Sequence, residues 1–220
     1  MRLVDLSLPL TSEMPHFDGT PPVYVASSHR LETEGYRMCT VFMGNHSGTH
    51  VDAPSHFLPD GASVDLIAIE RCVGEALVLD LSAKGADEQI SRGDLEAAVG
   101  DSVLAPGSRL LIRTDWDRQF EQPDYFTAFP ALAPDTARWF VDRGVVLVGL
   151  DIPTLHPRAF AEMHRVMLAA QIVIVESLAN LRLLKSRSVW FLGLPIKISG
   201  VDGAPTRAAA YDGLLRPDGD

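Results

Sequence analysis

Three of the seven histidines of the chain and one aspartate fall within eleven residues, in the segment HSGTHVDAPSH at positions 46–56. Imidazole and carboxylate groups at this density are typical of a site for zinc, manganese or iron(II) rather than for calcium or magnesium. A lone histidine is usually a surface or hydrogen-bonded core residue, but that explanation does not account for such a group. The segment therefore predicts a metal site.

The spacing within this segment places its polar side chains on one face of an extended chain. On a strand, His50 and Asp52 would lie roughly 7 Å apart at Cα on the same face, so both could bind one ion. A straight strand of this length would span about 33 Å, which is too long for one site. Gly48 and Pro54 are the expected bends that return the two outer histidines.

A complete metal site needs more donors than this segment supplies, and two candidates lie far away in the sequence. His164 falls in RAFAEMHRVMLAA, which has helical spacing, and Glu176 ends the apolar strand IVIVE. A carboxylate at the end of a buried strand must be paired or bound to a metal, because burying it alone is costly. From the residues alone, Glu176 fits a structural ion pair as well as a metal ligand.

Other features limit the class of protein. No GxSxG, GxGxxG or phosphate-loop motif occurs in the sequence. The formal net charge of −10 disfavours nucleic acid as a partner, and the apolar runs are too short for a membrane. Cys39 and Cys72 do not form a disulfide framework, and the first residues do not resemble a secretion signal. We therefore expect a cytoplasmic protein.

The elements that would position these residues form an α/β pattern. EALVLDL, RLLIRTD, GVVLVGLD, IVIVES and VWFLGLPIKI are typical of strands buried on both faces. Helical patterns such as SRGDLEAAVG and PDTARWFVDRG lie between them, whereas LVDLSLPL, PPVYVASSH and YRMCTVFMG make the first part mostly strand. The sequence predicts one α/β domain over residues 1–220, with a mixed, β-rich sheet.

The histidine-rich segment resembles the HxGTHxDxPxH signature of the cyclase family of metal-dependent hydrolases and matches it at every fixed position. That family includes bacterial kynurenine formamidases and isatin hydrolases. LVDLSLPL, EMHRVML, VIVESL and LGLPIKISGVDGAPTRAAA resemble other parts of the family pattern, so the resemblance covers most of the chain. It implies a swivelling β/β/α fold that assembles as a homodimer or homotetramer, with active sites lined partly by a neighbouring subunit.

The resemblance also implies a set of site residues. His56 would transfer protons, and the alternative for this residue is a further metal ligand. Phe17 would contact a small-molecule substrate, and His156, where the sequence departs from the family pattern, is a further candidate for that contact. The implied ligands, which would hold one or two divalent ions with zinc as the first choice and manganese as the second, are His46, His50, Asp52, His164 and Glu176.

Amide hydrolysis at neutral pH needs a nucleophile, and a metal ion lowers the pKa of bound water from near 16 to about 7. The resemblance therefore implies cleavage of a small amide or formamide, with an aryl formamide like N-formylkynurenine as the first candidate. Two departures leave the substrate open: His156 stands where an aspartate is expected, and MPHFDGTPP lacks the expected tryptophan. The alternatives are a lactam or another bulkier substrate of secondary metabolism, and a metal-binding module without turnover.

Overall fold

The computed structural model describes residues 2–213, and its main elements follow the apolar segments of the sequence. The α-helices are α1 Leu31–Glu34, α2 Ile69–Cys72, α3 Arg92–Val99, α4 Thr136–Asp142 and α5 Phe160–Ala169. Short 3₁₀ turns lie at Pro54–His56, Val64–Leu66, Trp116–Gln119 and Leu181–Leu183. The strands are β1 Arg2–Asp5, β2 Tyr24–His29, β3 Met38–Phe42, β4 His50–Asp52, β5 Val73–Asp80, β6 Gln89–Ile90, β7 Arg109–Arg113, β8 Ala131–Leu132, β9 Leu147–Leu150, β10 Val173–Glu176, β11 Ser188–Leu192, β12 Gly203–Pro205 and β13 Ala209–Asp212.

Within the described residues, nine strands form one curled sheet in the order β1-β13-β11-β5-β7-β9-β10-β4-β12. The central strands β5, β7, β9 and β10 are parallel, and the strands on both sides pair antiparallel. Two further pairs, β2–β3 and β6–β8, form separate two-stranded sheets. This architecture confirms the predicted α/β class with a mixed, β-rich sheet.

The central strands are buried on both faces, as their continuous apolar sequences predict. Leu110 in β7 and Ile174 in β10 belong to the hydrophobic cluster that includes side chains of α4 and α5. Their neighbours Leu111 and Val175 belong to a second cluster, which successive side chains reach on the opposite face of the sheet. The strands that lead to the site therefore stand on a close-packed core.

The predicted helices are present, and α3 begins as its sequence indicates. The Ser91 hydroxyl accepts the N–H of Asp94 at 3.2 Å, and the Asp94 carboxylate accepts the N–H of Ser91 at 2.8 Å. This reciprocal capping box satisfies two donors that the first turn of a helix leaves unpaired. The connection between β2 and β3 contains the single helical turn α1, which Gly35 ends with φ of 78°.

The sheet topology brings sequence-distant segments to one end of the parallel strands. β4 pairs antiparallel with β10, so that His50 lies opposite Glu176. β12 pairs with the other edge of β4, so that Gly203 lies opposite Asp52. Since Glu176 ends β10, this place is the carboxyl end of the parallel strands, where open α/β sheets usually bind their ligands.

The longest helix between residues 2 and 213 is α5, with ten residues. It spans about 15 Å, half of the roughly 30 Å of a bilayer core, and no helix in this part of the chain could cross a membrane. That one domain extends over residues 1–220 stays a prediction, because residue 1 and residues 214–220 lie outside the described residues.

Gly61 lies against the turn that carries His56, and a Cβ at this position would overlap the backbone of Pro54 and Ser55. Backbone atoms cannot rotate away, so we expect Gly61→Ala to lower the free energy of unfolding by about 1–3 kcal/mol. Thermal or urea unfolding measures this. Gly93→Ala, in the exposed part of α3, is the matched control and should raise stability by up to about 1 kcal/mol. Equal stabilities of Gly61→Ala and the unmodified protein would contradict the expected overlap.

Candidate metal centre

The histidine-rich segment folds as a bend, a short strand and a turn. Gly48 has φ of 61°, in the left-handed region that favours glycine. Strand β4 follows, and Pro54 then begins a 3₁₀ turn that ends at His56. Both bends lie at the predicted positions, and the strand between them places His50 and Asp52 on one face.

Two carboxylates, those of Asp52 and Glu176, form the buried floor of the site, with side chains only 1% and 7% exposed. His50 Nε2 lies 3.4 Å from Asp52 Oδ1 and 3.6 Å from Glu176 Oε2. His164 Nε2 lies 3.2 Å from Asp52 Oδ2 and 3.3 Å from Glu176 Oε1. Two imidazoles therefore face two carboxylates across one small space.

These separations fit a divalent metal ion. Metal–nitrogen and metal–oxygen bonds of about 2.1 Å in a tetrahedral site put neighbouring donor atoms roughly 3.4 Å apart. Glu176 Oε1 is buried and has no hydrogen-bond partner among the described residues. Such an oxygen is unfavourable unless a cation compensates for its lost hydration. The donors and the unpaired oxygen therefore match the predicted metal site.

Backbone carbonyl groups orient both of these imidazoles. His50 Nδ1 lies 2.8 Å from the Gly48 carbonyl oxygen, and His164 Nδ1 lies 2.7 Å from that of Phe160. A carbonyl oxygen can only accept, so each Nδ1 carries a hydrogen and each Nε2 faces the carboxylates. Metal-binding histidines are usually held in this way by a hydrogen bond through their other nitrogen.

His46 connects Asp52 to a residue that the sequence analysis did not identify, Asp202. His46 Nδ1 lies 2.8 Å from Asp52 Oδ1, and its Nε2 lies 3.1 Å from Asp202 Oδ2. The same Asp202 oxygen lies 2.7 Å from His56 Nδ1, and the rings of His46 and His56 stack with centroids 4.0 Å apart. The structure thus gathers all six residues predicted to bind metal or transfer protons.

Asp202 precedes β12 in the motif GVDG, and the glycine that follows it is the one signal in the sequence. A Cβ at Gly203 would lie 2.8 Å from the Val51 carbonyl oxygen and would also meet the His46 ring. Only glycine allows β12 to approach β4 and the histidine so closely. A glycine beside an acidic residue in a loop can therefore indicate a site contact, although it cannot say which one.

The electrostatics of the metal-free site favour protonated imidazoles. Burial lowers the pKa of His46, but Asp52 and Asp202 outweigh this and raise it to about 9. Burial likewise opposes the charge of His164, yet Asp52 and Glu176 raise its pKa to about 10. Burial also disfavours the Asp52 carboxylate, but hydrogen bonds from three histidines keep its pKa well below the ordinary value.

Metal binding should therefore release protons. With these pKa values, His46 and His164 are protonated at pH 7.5. Because an imidazole must lose this extra proton before it can bind a metal, we expect metal binding to release about two protons per chain. Their pairing with carboxylates stabilises the metal-free fold below pH 6.5, and this contribution is lost as the pH rises through 9 to 10. Metal affinity should accordingly rise with pH over this range. Calorimetric titration at pH 7.5 in buffers of different ionisation enthalpy measures the release, and a value of zero would contradict it.

His56 borders an apolar cavity of about 270 Å³ that also reaches His50, His164 and Glu176. Burial lowers the pKa of His56, and the charge of Asp52 offsets only part of this effect. The imidazole is therefore neutral at pH 7 and able to accept a proton. The apolar walls of the cavity include Met14, Phe17, Val23, Phe57, Phe120, Phe126 and Phe160.

The two predicted substrate residues lie in different surroundings. Phe17 lines the cavity, and its ring meets that of Phe126 edge-on with centroids 5.9 Å apart. His156 is not among the described residues that line the cavity. Its Nδ1 accepts the N–H groups of Arg158 and Ala159, at 3.0 and 2.9 Å, just before α5. The geometry thus supports a substrate contact for Phe17, whereas the hydrogen bonds of His156 hold the turn that leads into α5.

Comparison with known proteins gives matches over nearly the whole chain. The family model described as "Putative cyclase" matches residues 4–157. A kynurenine formamidase from Bacillus cereus is 30% identical over 217 residues, and one from Bacillus thuringiensis is 31% identical over 218, each with 97% of both chains covered. Isatin hydrolase A from Labrenzia aggregata, solved with benzyl benzoate, has a TM-score of 0.86 at 25% identity, over 95% of this chain and 93% of that chain. Isatin hydrolase A from Ralstonia solanacearum has a TM-score of 0.87 at 26% identity, over 95% and 91%.

The fold, the buried histidine–carboxylate site and these matches together define a metal-dependent hydrolase of amide bonds. The family model covers more than half of the chain, and the curated relatives align over almost all of it. This chain belongs to the cyclase family. The predicted family and the predicted class of enzyme are therefore confirmed.

Proposed function

We propose that this enzyme hydrolyses an aryl formamide of the N-formylkynurenine kind. The main support for this proposal is the cavity, which aromatic side chains such as Phe17 and Phe57 line together with His50, His56 and Glu176. An aryl group among the aromatic side chains would hold its formamide carbon beside the metal-binding end. The alignment with kynurenine formamidases over almost the full chain supports the same substrate class.

His46, His50, Asp52, His164 and Glu176 would hold the metal. Zinc is the first choice and manganese the second, because imidazole with carboxylate suits both ions. Asp52 lies within reach of the other donors of two clusters, so it is the carboxylate best placed to be shared if two ions bind. When bound, the metal supplies water with a pKa near 7 in place of about 16, and it polarises the carbonyl group.

In this reaction His56 would move the proton. Its Nδ1 faces Asp202, which leaves Nε2 as the basic nitrogen. The neutral imidazole would accept the proton of the attacking water and donate it to the amine nitrogen as the C–N bond breaks. The water oxygen bonds to the formyl carbon, so the products are the free arylamine and formic acid, which loses its acidic proton to solvent as formate. The histidine accepts one proton and donates one, so it returns to its starting protonation state after each turnover.

The decisive experiment is hydrolysis of N-formyl-L-kynurenine by the purified protein before chelation, after chelation, and after zinc or manganese is added back. We expect turnover that chelation abolishes and metal restores, because the nucleophile depends on the ion. A folded, metal-loaded protein that does not cleave this substrate would overturn the formamide proposal.

A lactam is the second candidate substrate. Isatin hydrolases share the fold at 25–26% identity, and the segment MPHFDGTPP lacks the tryptophan expected of a formamidase. Isatin tests this alternative, because opening of its ring gives a single product and releases no formate. Cleavage of isatin at a higher kcat/KM than N-formyl-L-kynurenine would favour the lactam.

We also propose a homodimer or homotetramer in which β2 and β3 contact a second copy. Within the described residues these strands pair with each other alone, and Tyr24, Val25, Val41 and Phe42 are exposed. A lone two-stranded hairpin is marginally stable in water, and an apolar patch of this kind often marks an interface. Val41→Asp should shift the mass measured by light scattering toward the monomer, and an unchanged mass would contradict this.

The cysteines and the net charge bear on the cellular compartment of the enzyme and on its partners. Cys39 and Cys72 are free thiols, which fits the reducing cytoplasm where we place the enzyme. The acidic net charge of −10 argues against nucleic acid. We propose a small-molecule substrate, with neither nucleic acid nor membrane as a partner.

A further inference from the structure

Asp202 is held in a fixed position beside the proposed proton-transfer residue. Its Oδ2 lies 2.7 Å from His56 Nδ1, and its Oδ1 accepts the side-chain N–H of Asn45 at 2.7 Å. The amide of Asn45 is fixed in turn, because its nitrogen also donates to the Gly203 carbonyl at 3.1 Å. Both carboxylate oxygens of Asp202 therefore have assigned partners.

The backbone around Asp202 is anchored to the segment that carries His56. The Asp202 carbonyl accepts the N–H of Ala53 at 2.9 Å, and the Val201 carbonyl accepts that of Val64 at 2.9 Å. The Asp65 carboxylate accepts the N–H of Gly200 at 3.1 Å. Residues 200–202 are thus hydrogen-bonded to the chain on both sides of His56. The contact between the Asp202 and His56 side chains is therefore preorganised.

We propose that Asp202 is the positioning residue for His56 and holds its imidazole in the tautomer with hydrogen on Nδ1, so that Nε2 is the free base. An ionised carboxylate accepts hydrogen bonds and cannot donate them, so the nitrogen facing it must carry the hydrogen. The tautomer of a histidine is set by the hydrogen bond of its other nitrogen. This inference rests on the proposed function, which assigns proton transfer to His56.

The competing role for Asp202 is that of a metal ligand, since its Oδ2 also lies 3.1 Å from His46 Nε2. Two observations favour positioning. The Asp202 side chain is 41% exposed, unlike the buried carboxylates of Asp52 and Glu176. In addition, Asp202 has both oxygens in hydrogen bonds, whereas Glu176 has an unpaired buried oxygen.

Asp202→Asn tests the proposal most sharply, because it keeps the shape of the side chain and changes its hydrogen bonding. The fixed N–H of Asn45 still needs an acceptor, so the new amide NH₂ must face His56 Nδ1 and select the other tautomer. We expect kcat for N-formyl-L-kynurenine to fall by about 100-fold or more. The KM should stay within about threefold, because substrate binding is not altered, and the metal content should be unchanged.

Asp65→Asn is the matched control, since it makes the same substitution in a carboxylate that anchors the same loop but does not contact His56. Its kcat should stay within about twofold of the unmodified enzyme. A second control places Asp202→Asn on a His56→Ala background, where it should lower kcat by less than about twofold further, because the two residues act as a unit.

Nitrogen NMR of the zinc-loaded protein with labelled imidazoles reads the tautomer without any substrate, with His56 assigned by its loss in His56→Ala. We expect hydrogen on Nδ1 in the unmodified protein and on Nε2 in Asp202→Asn. This readout decides the role of Asp202 even if N-formyl-L-kynurenine is not cleaved. An unchanged tautomer in Asp202→Asn, metal loss in that variant, or a full additional loss of kcat on the His56→Ala background would each overturn the proposal.

Discussion

His56→Ala should lower kcat by about 10²–10⁴-fold, the usual contribution of a positioned acid–base group, while the protein keeps its metal. The reason is that metal binding and proton transfer are assigned to different residues of the site. Asp52 and Glu176, with His50 and His164, form a closed set of donors without His56. Removing the His56 imidazole from the cavity side leaves that set intact but takes away the group that would accept the water proton. Kinetics and elemental analysis of the same preparation measure both quantities.

His29→Ala is the control for this experiment, because it removes a histidine that stacks on Tyr36 in the β2–β3 hairpin, away from the metal centre. It should leave both kcat and metal content unchanged. Loss of metal together with activity in His56→Ala would instead make His56 a ligand, the alternative that its place near His46 and Asp52 allows. Full turnover in His56→Ala would remove it from the mechanism.

His50→Ala should lose the metal and, with it, turnover. His50 Nε2 faces both buried carboxylates, so its removal takes away one of the proposed metal ligands. Changes in groups that only orient ligands cost about 10–100-fold in metal affinity, so loss of a ligand should cost more than about 100-fold. Calorimetric titration with zinc measures the affinity directly.

Thermal unfolding gives a second measure of the same variant. A ligand at about 1,000 times its Kd stabilises the folded state by roughly 4 kcal/mol, so zinc should raise the melting temperature of the unmodified protein and of His29→Ala. It should fail to raise that of His50→Ala at the same concentration. An unchanged metal affinity in His50→Ala would remove this residue from the ligand set.

Much of the fold follows from patterns that act locally. The apolar segments that became β5, β7, β9 and β10 are recognisable because each is buried on both faces. α3 is recognisable from its cap and spacing. Strands β6, β8 and β12, of two or three residues, show no usable period, since their pairing depends on partners elsewhere in the fold.

The site residues could be predicted where residue type and sequence spacing together indicate metal binding. They could not be predicted where strand pairing brings residues together from distant parts of the sequence. The density of histidine and aspartate in the segment around His50 and Asp52 predicts a metal site. Asp202 could not be predicted in this way, because its contact with His56 depends on the pairing of β12 with β4. The substrate contact predicted for His156 stays a prediction, because its local hydrogen bonds to the N–H groups of Arg158 and Ala159, in the turn before α5, depend on loop geometry that the sequence does not show.

The position of β4 between β10 and β12 also has a consequence for biosynthesis. Asp52 and His164 meet across 112 residues of sequence, and the loop with Asp202 reaches the site only through β12. While the chain is being synthesised, His50 and Asp52 emerge first and can offer an ion only a partial set of donors, which binds it weakly. Metal capture therefore belongs to a late stage of folding, after translation has passed Glu176, because only then are all the predicted donors present. Because such donors accept several first-row ions, the ion that the enzyme acquires depends on which metal is available where folding is completed.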